Sequence, residues 1–158
     1  MNEQLRTGLS FGLTSATITT LGLMVGLDSG THSKSVVLGG ILTIAIADAF
    51  SDALGIHVSE EAENAHTNRE VWGATLATFL SKCLFALTFA VPVFALPLPL
   101  AIWVSIGWGL VILSGLSYGI ARSQGGRPMI AVFEHLAVAV VVIFIAHWVG
   151  HLVATYVA

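Results

Sequence analysis

Long apolar stretches follow one another along this chain, separated by short groups of charged and turn-forming residues. They fall near 9–27, 35–58, 71–96, 98–120 and 129–156, and each has at least about the 20 residues a helix needs to cross a bilayer core. Two of the breaks are tight polar turns, Asp28 to Lys34 and Arg122 to Pro128, which predict antiparallel neighbours. Between the third and fourth stretches stand only Pro97 and Pro99, with no charge. One helix through both stretches would be too long for a single crossing. A proline at a helix start loses nothing, because its missing N–H has no partner there, so a fourth span beginning at Leu98 and Pro99 is predicted. The pattern predicts an all-α integral membrane protein, a single transmembrane domain over residues 1–158 with five transmembrane helices.

Composition strengthens this reading. Of 158 residues, 56% are hydrophobic and 9% charged, whereas soluble chains carry about 25% charged residues. So few charges cannot cover a water-facing surface, and the lipid bilayer is the expected surrounding. No small-residue cleavage pattern follows the first apolar run, so the first span is expected to stay in place. With no organelle signal visible, the plasma membrane is expected over an organelle membrane. The lone Cys83 lies in an apolar run and has no internal partner for a disulfide. A net charge of -3 gives no footing for nucleic-acid binding. If five spans alternate, Arg6, Arg69, Arg122 and Arg127 fall on one side and only Lys34 on the other, which predicts a cytoplasmic N-terminus and a C-terminus outside or in a lumen.

Charged side chains at bilayer depth cost several kcal/mol on insertion scales, so each one is a candidate functional or strongly paired site. Four qualify: Asp48, Asp52, Lys82 and Glu134. At about 1.5 Å of rise per residue, Asp48 and Lys82 lie roughly 18 Å from Glu60 and Glu70 at their span boundaries, near mid-membrane. Asp52 lies about 12 Å in from Glu60 and Glu134 about 10 Å in from Arg127, so those two carboxylates share a level. Asp48 and Asp52 are four residues apart and face one way on a helix, forming an acidic ladder. Small residues along that span, Ala45, Ala49, Ala53 and Gly55, with Ser51, let neighbouring helices approach it. One reading pairs Asp48 with Lys82 as a buried register-fixing ion pair. One lysine cannot neutralise three carboxylates, however, and a proton or a divalent metal held by hard oxygen ligands is the natural remaining counter-charge.

Histidines and acids also gather near the span ends. His57, Glu60, Glu61 and Glu63 could form a shallow metal-gathering mouth on the cytoplasmic side, with His57 and Glu61 sharing one face and Glu60 and Glu63 another, or simply a solvated helix end. His147 and His151, near the outer face, are possible outer-side ligands, although Trp148 and Tyr156 beside them fit an interfacial belt. His135 points to a different side of its helix from Glu134. Thr14, Ser15, Thr17, Thr19 and Thr20 in the first span can bond across helices, line a polar path or bond to their own backbone. No nucleophile-plus-base spacing and no His-Glu-x-x-His motif occurs, so no enzyme is expected.

Several segments carry a family resemblance. Phe11-Gly12-Leu13-Thr14 through Gly22-Leu23 resembles the first-span pattern of the vacuolar iron transporter family, Asp48-Ala49-Phe50-Ser51-Asp52-Ala53-Leu54-Gly55 its second-span Gly-Ala-Ile-Ser-Met-Gly-Leu-Gly, Ala74 to Ser81 the start of its third span, and Gly126-Arg127-Pro128 through Gly150 its last hairpin and span. The resemblance implies a five-helix homodimeric carrier that exchanges protons for Fe(II) or Mn(II) along a path between subunits. In this chain the family's first-span acid falls at Phe11, its second-span metal-binding glutamate near Ile44 and its methionine at Asp52. Only 59–70 stands where the family has a cytoplasmic helical domain. The expected function is therefore a divalent-metal transporter, a possible metal/proton antiporter, with Asp52 and Glu134 coordinating the ion and Asp48 tuned by Lys82 as a proton-linked partner. The alternative is a membrane protein of the same fold, non-transporting or differently specific, in which Asp48, Lys82 and Glu134 form a structural charge network.

Overall fold

The computed structural model describes residues 3–63 and 65–157, leaving Met1, Asn2, Asn64 and Ala158 outside the description. All regular structure among them is helical, with no strand. Five helices are long and apolar enough to cross a membrane: α1 (Glu3–Thr31), α2 (Lys34–Ala62), α3 (Asn68–Ala95), α4 (Leu98–Ser123) and α5 (Pro128–Tyr156). Each contains most of one expected span and runs beyond it at one or both ends, because a helix keeps its backbone paired past the apolar core. Large apolar side chains point outward all around the bundle, including Phe50, Leu84, Trp103, Phe133 and Phe144, each more than half exposed. A surface of this kind suits lipid and not water.

Proline accounts for the irregularities around the third span. Pro92 cannot donate to the carbonyl of Thr88, and α3 is broken one residue later, at Phe89, whose N–H turns back to Ala86 O at 3.1 Å. At the start of α4, Pro99 occupies the first turn and Pro97 the cap position, as the sequence pattern predicts. Glu70 and Thr67 cap the start of α3 reciprocally, the Glu70 carboxylate accepting from the Thr67 N–H at 3.0 Å.

Helix α1 is the hub, packing against all four others. Small residues make this possible. On its first half Gly8, Gly12 and Ala16 are buried. A side-chain carbon at Gly8 would collide with the Ala74 carbonyl of α3, and one at Gly12 would lie 2.7 Å from the Thr78 carbonyl. On its second half Gly22, Gly26 and Gly30 meet Val142, Ala146 and Gly150 of α5 at matching four-residue intervals. Close backbone approach of this sort substitutes for the hydrophobic drive that lipid removes. Helix α2 packs on α3, and α4 on α5.

Lys34, the basic residue that stood apart from the others, has a local role. Its ammonium donates to Phe94 O at 3.2 Å and Leu96 O at 3.1 Å, closing the C-terminal end of α3 where carbonyls lack helical partners. Lys34→Ala is expected to lower unfolding stability by about 1 kcal/mol, with Lys34→Arg retaining most of it, as read by thermal unfolding in detergent.

Candidate functional site

Halfway along α3, Lys82 is wholly buried, an uncommon place for an ammonium. It donates to Ser15 Oγ of α1 at 2.9 Å and to Asp52 Oδ2 of α2, and Asp48 Oδ2 lies 2.6 Å away as an ion pair. Ser15 also donates to Asp52 Oδ2 at 2.6 Å, so one carboxylate oxygen receives from both. Asp48 Oδ2 accepts no hydrogen bond of acceptable angle despite its closeness to the ammonium, so it is held by charge alone. Three helices thus converge on one cluster. Its formal charge is one carboxylate in excess, and the excess lies on the more open side: the Asp48 and Asp52 side chains are 31% and 20% exposed, that of Lys82 0%.

The local backbone helps explain the aim of the acids. Helix α2 contains a π-helical turn, Ile44–Asp48, ending on the first acid, and α-helix resumes at Ala49. Such turns shift the register of the residues after them and occur often at functional sites. Beyond it the four-residue spacing carries both carboxylates to one ammonium. Ala45, Ala49 and Ala53 are buried beside them, which lets α2 lie close to its neighbours.

Glu134 is not brought to this cluster. It is exposed on α5, and α5 packs on α1 and α4, with α1 standing between it and α2. Distance from the helix ends places Glu134 and Asp52 at one level but says nothing of direction around the bundle. The expected division, Lys82 with Asp48 and Asp52 with Glu134, is replaced within the chain by Lys82 holding both aspartates. Among the described residues, no three His, Cys, Asp or Glu side chains are grouped to hold a metal ion.

The shallower candidates are sorted differently from the face-by-face expectation. His57 turns to α3, its Nδ1 2.9 Å from Thr75 Oγ1 and its ring edge-on to Trp72. Glu61 is exposed. His66 is the imidazole that faces the acids: its Nε2 lies 3.5 Å from Glu60 and 3.3 Å from Glu63. At the other end His147 Nδ1 bonds Ser29 at 2.6 Å, tying α5 to α1, while His151 is exposed and edge-on to Trp148. Both histidines line a cavity of about 610 Å³ with Asp28 and His32. His135 bonds Ser117 at 2.7 Å. The Ser117 and Thr75 hydroxyls already give their single protons to Leu113 O and Val71 O, so in these two pairs the imidazole Nδ1 is the donor.

Besides His66, both Ser15 and the π-helical turn escaped the sequence. Ser15 was one hydroxyl among five, with nothing to single it out before α1 was known to face Lys82. The π-helical turn left no mark in residue type. No family model matches the chain, and no curated protein or solved structure does.

Proposed function

We propose that this chain is a proton-linked cation carrier, not an enzyme, with divalent transition metals such as Fe(II) or Mn(II) as cargo. The observation that supports it is the buried Asp48–Lys82–Asp52 cluster, one positive charge short and more open on its carboxylate side. A proton or an incoming cation supplies the missing charge, and competition between the two for Asp48 and Asp52 couples their movements. Hard carboxylate oxygens suit Fe(II) and Mn(II), and the family resemblance names the same cargo.

We place a second copy of the chain against α2. Gly39, Thr43, Ala47, Ser51, Gly55 and Ser59 stand exposed at every fourth position there, and nothing lies within 4 Å of where a side-chain carbon would sit on Gly39 or Gly55. Such a face suits close helix pairing, and a two-fold pairing would double the acids available to an ion. The end carrying Arg6, Arg69, Arg122 and Arg127 is placed in the cytoplasm, most naturally at the plasma membrane.

The test is metal-stimulated proton movement in proteoliposomes, comparing Fe(II), Mn(II), Co(II) and Zn(II) with Ca(II). Wild-type flux that disappears in Asp52→Asn is the expected result. Full flux in that variant removes Asp52 from the path. A second reading, a structural charge network without transport, draws on the buried Lys82 joining α3 to both Asp48 and Asp52 of α2. It expects no flux from well-folded protein with any metal, and loss of stability and pairing in Asp48→Asn.

A further inference from the structure

Helices α1 and α4 meet tightly at one level and part below it. At Gly109 of α4 an added side-chain carbon would lie 2.6 Å from Leu21, with Thr17 also in contact range. Toward the arginine-bearing end the same two helices leave a groove of about 580 Å³, lined by Leu9, Leu13, Gly115 and Gly119 and bounded by Arg6 and Ser123. Nothing lies within 4 Å of a carbon added at Gly115 or Gly119, so the groove floor is unfilled. Arg6 and Ser10 also line an adjoining polar hollow of about 550 Å³, so an apolar slot runs into a polar chamber at one guanidinium.

The charges at this corner are unbalanced. Arg6 donates to Ser123 and Arg122 to Tyr118, and among the described residues neither these nor Arg127 is ion-paired with a carboxylate. Glu3 is the one acid lining the hollow. Arg6 balances it within the lining, and the α4–α5 turn that follows Ser123 adds Arg127 beside Arg122 with no acid, which leaves this end of the groove positive where headgroups would lie.

We propose that this groove binds an anionic phospholipid, one acyl chain lying along Gly115 and Gly119 between α1 and α4 and the phosphate meeting Arg6. A glycine-floored apolar slot selects a chain, and a guanidinium at its mouth that is bonded to a serine and to no carboxylate selects an anion. The site lies on the α1–α4 side, and the proposal is independent of what the Lys82 cluster does.

The test is thermal unfolding of the detergent-purified full chain with added phosphatidylglycerol, phosphatidylcholine or inorganic phosphate, beside native mass spectrometry of the wild type. Phosphatidylglycerol is expected to raise Tm by about 5 °C and to remain bound in the mass spectrum, with little effect of the other two. Gly119→Leu, which fills the slot, abolishes the shift, and Arg6→Gln removes the preference over phosphatidylcholine. Equal shifts with phosphatidylcholine, a full shift with phosphate alone, or no retained phosphatidylglycerol would each overturn the proposal. So would an unaltered phosphatidylglycerol shift in Gly119→Leu, as when a second copy of the chain covers the groove. Should Gly119→Leu fail to fold, Arg6→Gln and the wild-type mass spectrum still decide.

Discussion

Lys82→Met is expected to destabilise the bundle by about 3–5 kcal/mol, the usual cost of removing one partner from a buried ion pair. Methionine keeps much of the stem's bulk, so the loss falls on the charge. Without the ammonium, Asp48 and Asp52 face each other across one turn of α2, and Ser15 loses the donor that orders its hydroxyl. Adding Asp48→Asn and Asp52→Asn to Lys82→Met is expected to restore much of the stability, because a cluster with every charge removed leaves none unpaired. Chemical unfolding in mild detergent measures both variants. A loss below about 1 kcal/mol in Lys82→Met would show that the three charges are not coupled in the folded chain. The same pair of variants separates stability from transport: a triple variant that folds but carries nothing assigns the charges to function, and one that still carries cations removes the cluster from the path.

Much of this architecture was legible as run length. The five apolar stretches correspond to five helices because bilayer thickness fixes how many apolar residues a crossing needs, and Pro97 and Pro99 mark a helix start for a reason internal to proline. The pairing of Asp48 with Lys82 was legible too, but not that Asp52 shares the same ammonium. Four-residue spacing sets the two acids on one face, and counting from span boundaries sets the lysine at the level of the first. Direction around the bundle was not legible. Glu134 shares the depth of Asp52 yet lies on a helix that α1 separates from α2, because depth is a property of one helix and azimuth a property of the packing. The same limit hid Ser15, Lys34 as the cap of α3, and His66 as the imidazole between Glu60 and Glu63. The first two are contacts between helices whose mutual rotation small residues help set, and the third is made within the short turn between α2 and α3, where helical spacing does not apply. Gly8, Gly12, Gly22, Gly26 and Gly30 look alike in the sequence, and only the folded chain shows the first two against α3 and the others against α5.

Gly12 is where that packing and the charge cluster meet, and Gly12→Ala is expected to cost about 1–3 kcal/mol. The added carbon would collide with the Ser81 hydroxyl and lie 2.7 Å from the Thr78 carbonyl. The hydroxyl can rotate away, but the carbonyl belongs to the α3 backbone and cannot. Helix α1 must therefore move outward. Ser15 lies three residues further along α1 and Lys82 next to Ser81 on α3, so the 2.9 Å bond between them lengthens with that movement. The two substitutions should consequently fail to add: once α1 has been displaced by Gly12→Ala, Lys82→Met removes a cluster already weakened. A double-mutant cycle on unfolding free energies is expected to give a coupling of about 0.5–3 kcal/mol. Gly107→Ala on α4 is the control, since nothing lies within 4 Å of its added carbon and alanine favours the helix; it should leave stability within about 0.5 kcal/mol or raise it. Additive losses for Gly12→Ala and Lys82→Met would mean that the α1–α3 glycine contact and the buried charges are held independently, and that small residues on α1 do not position the ion-handling groups.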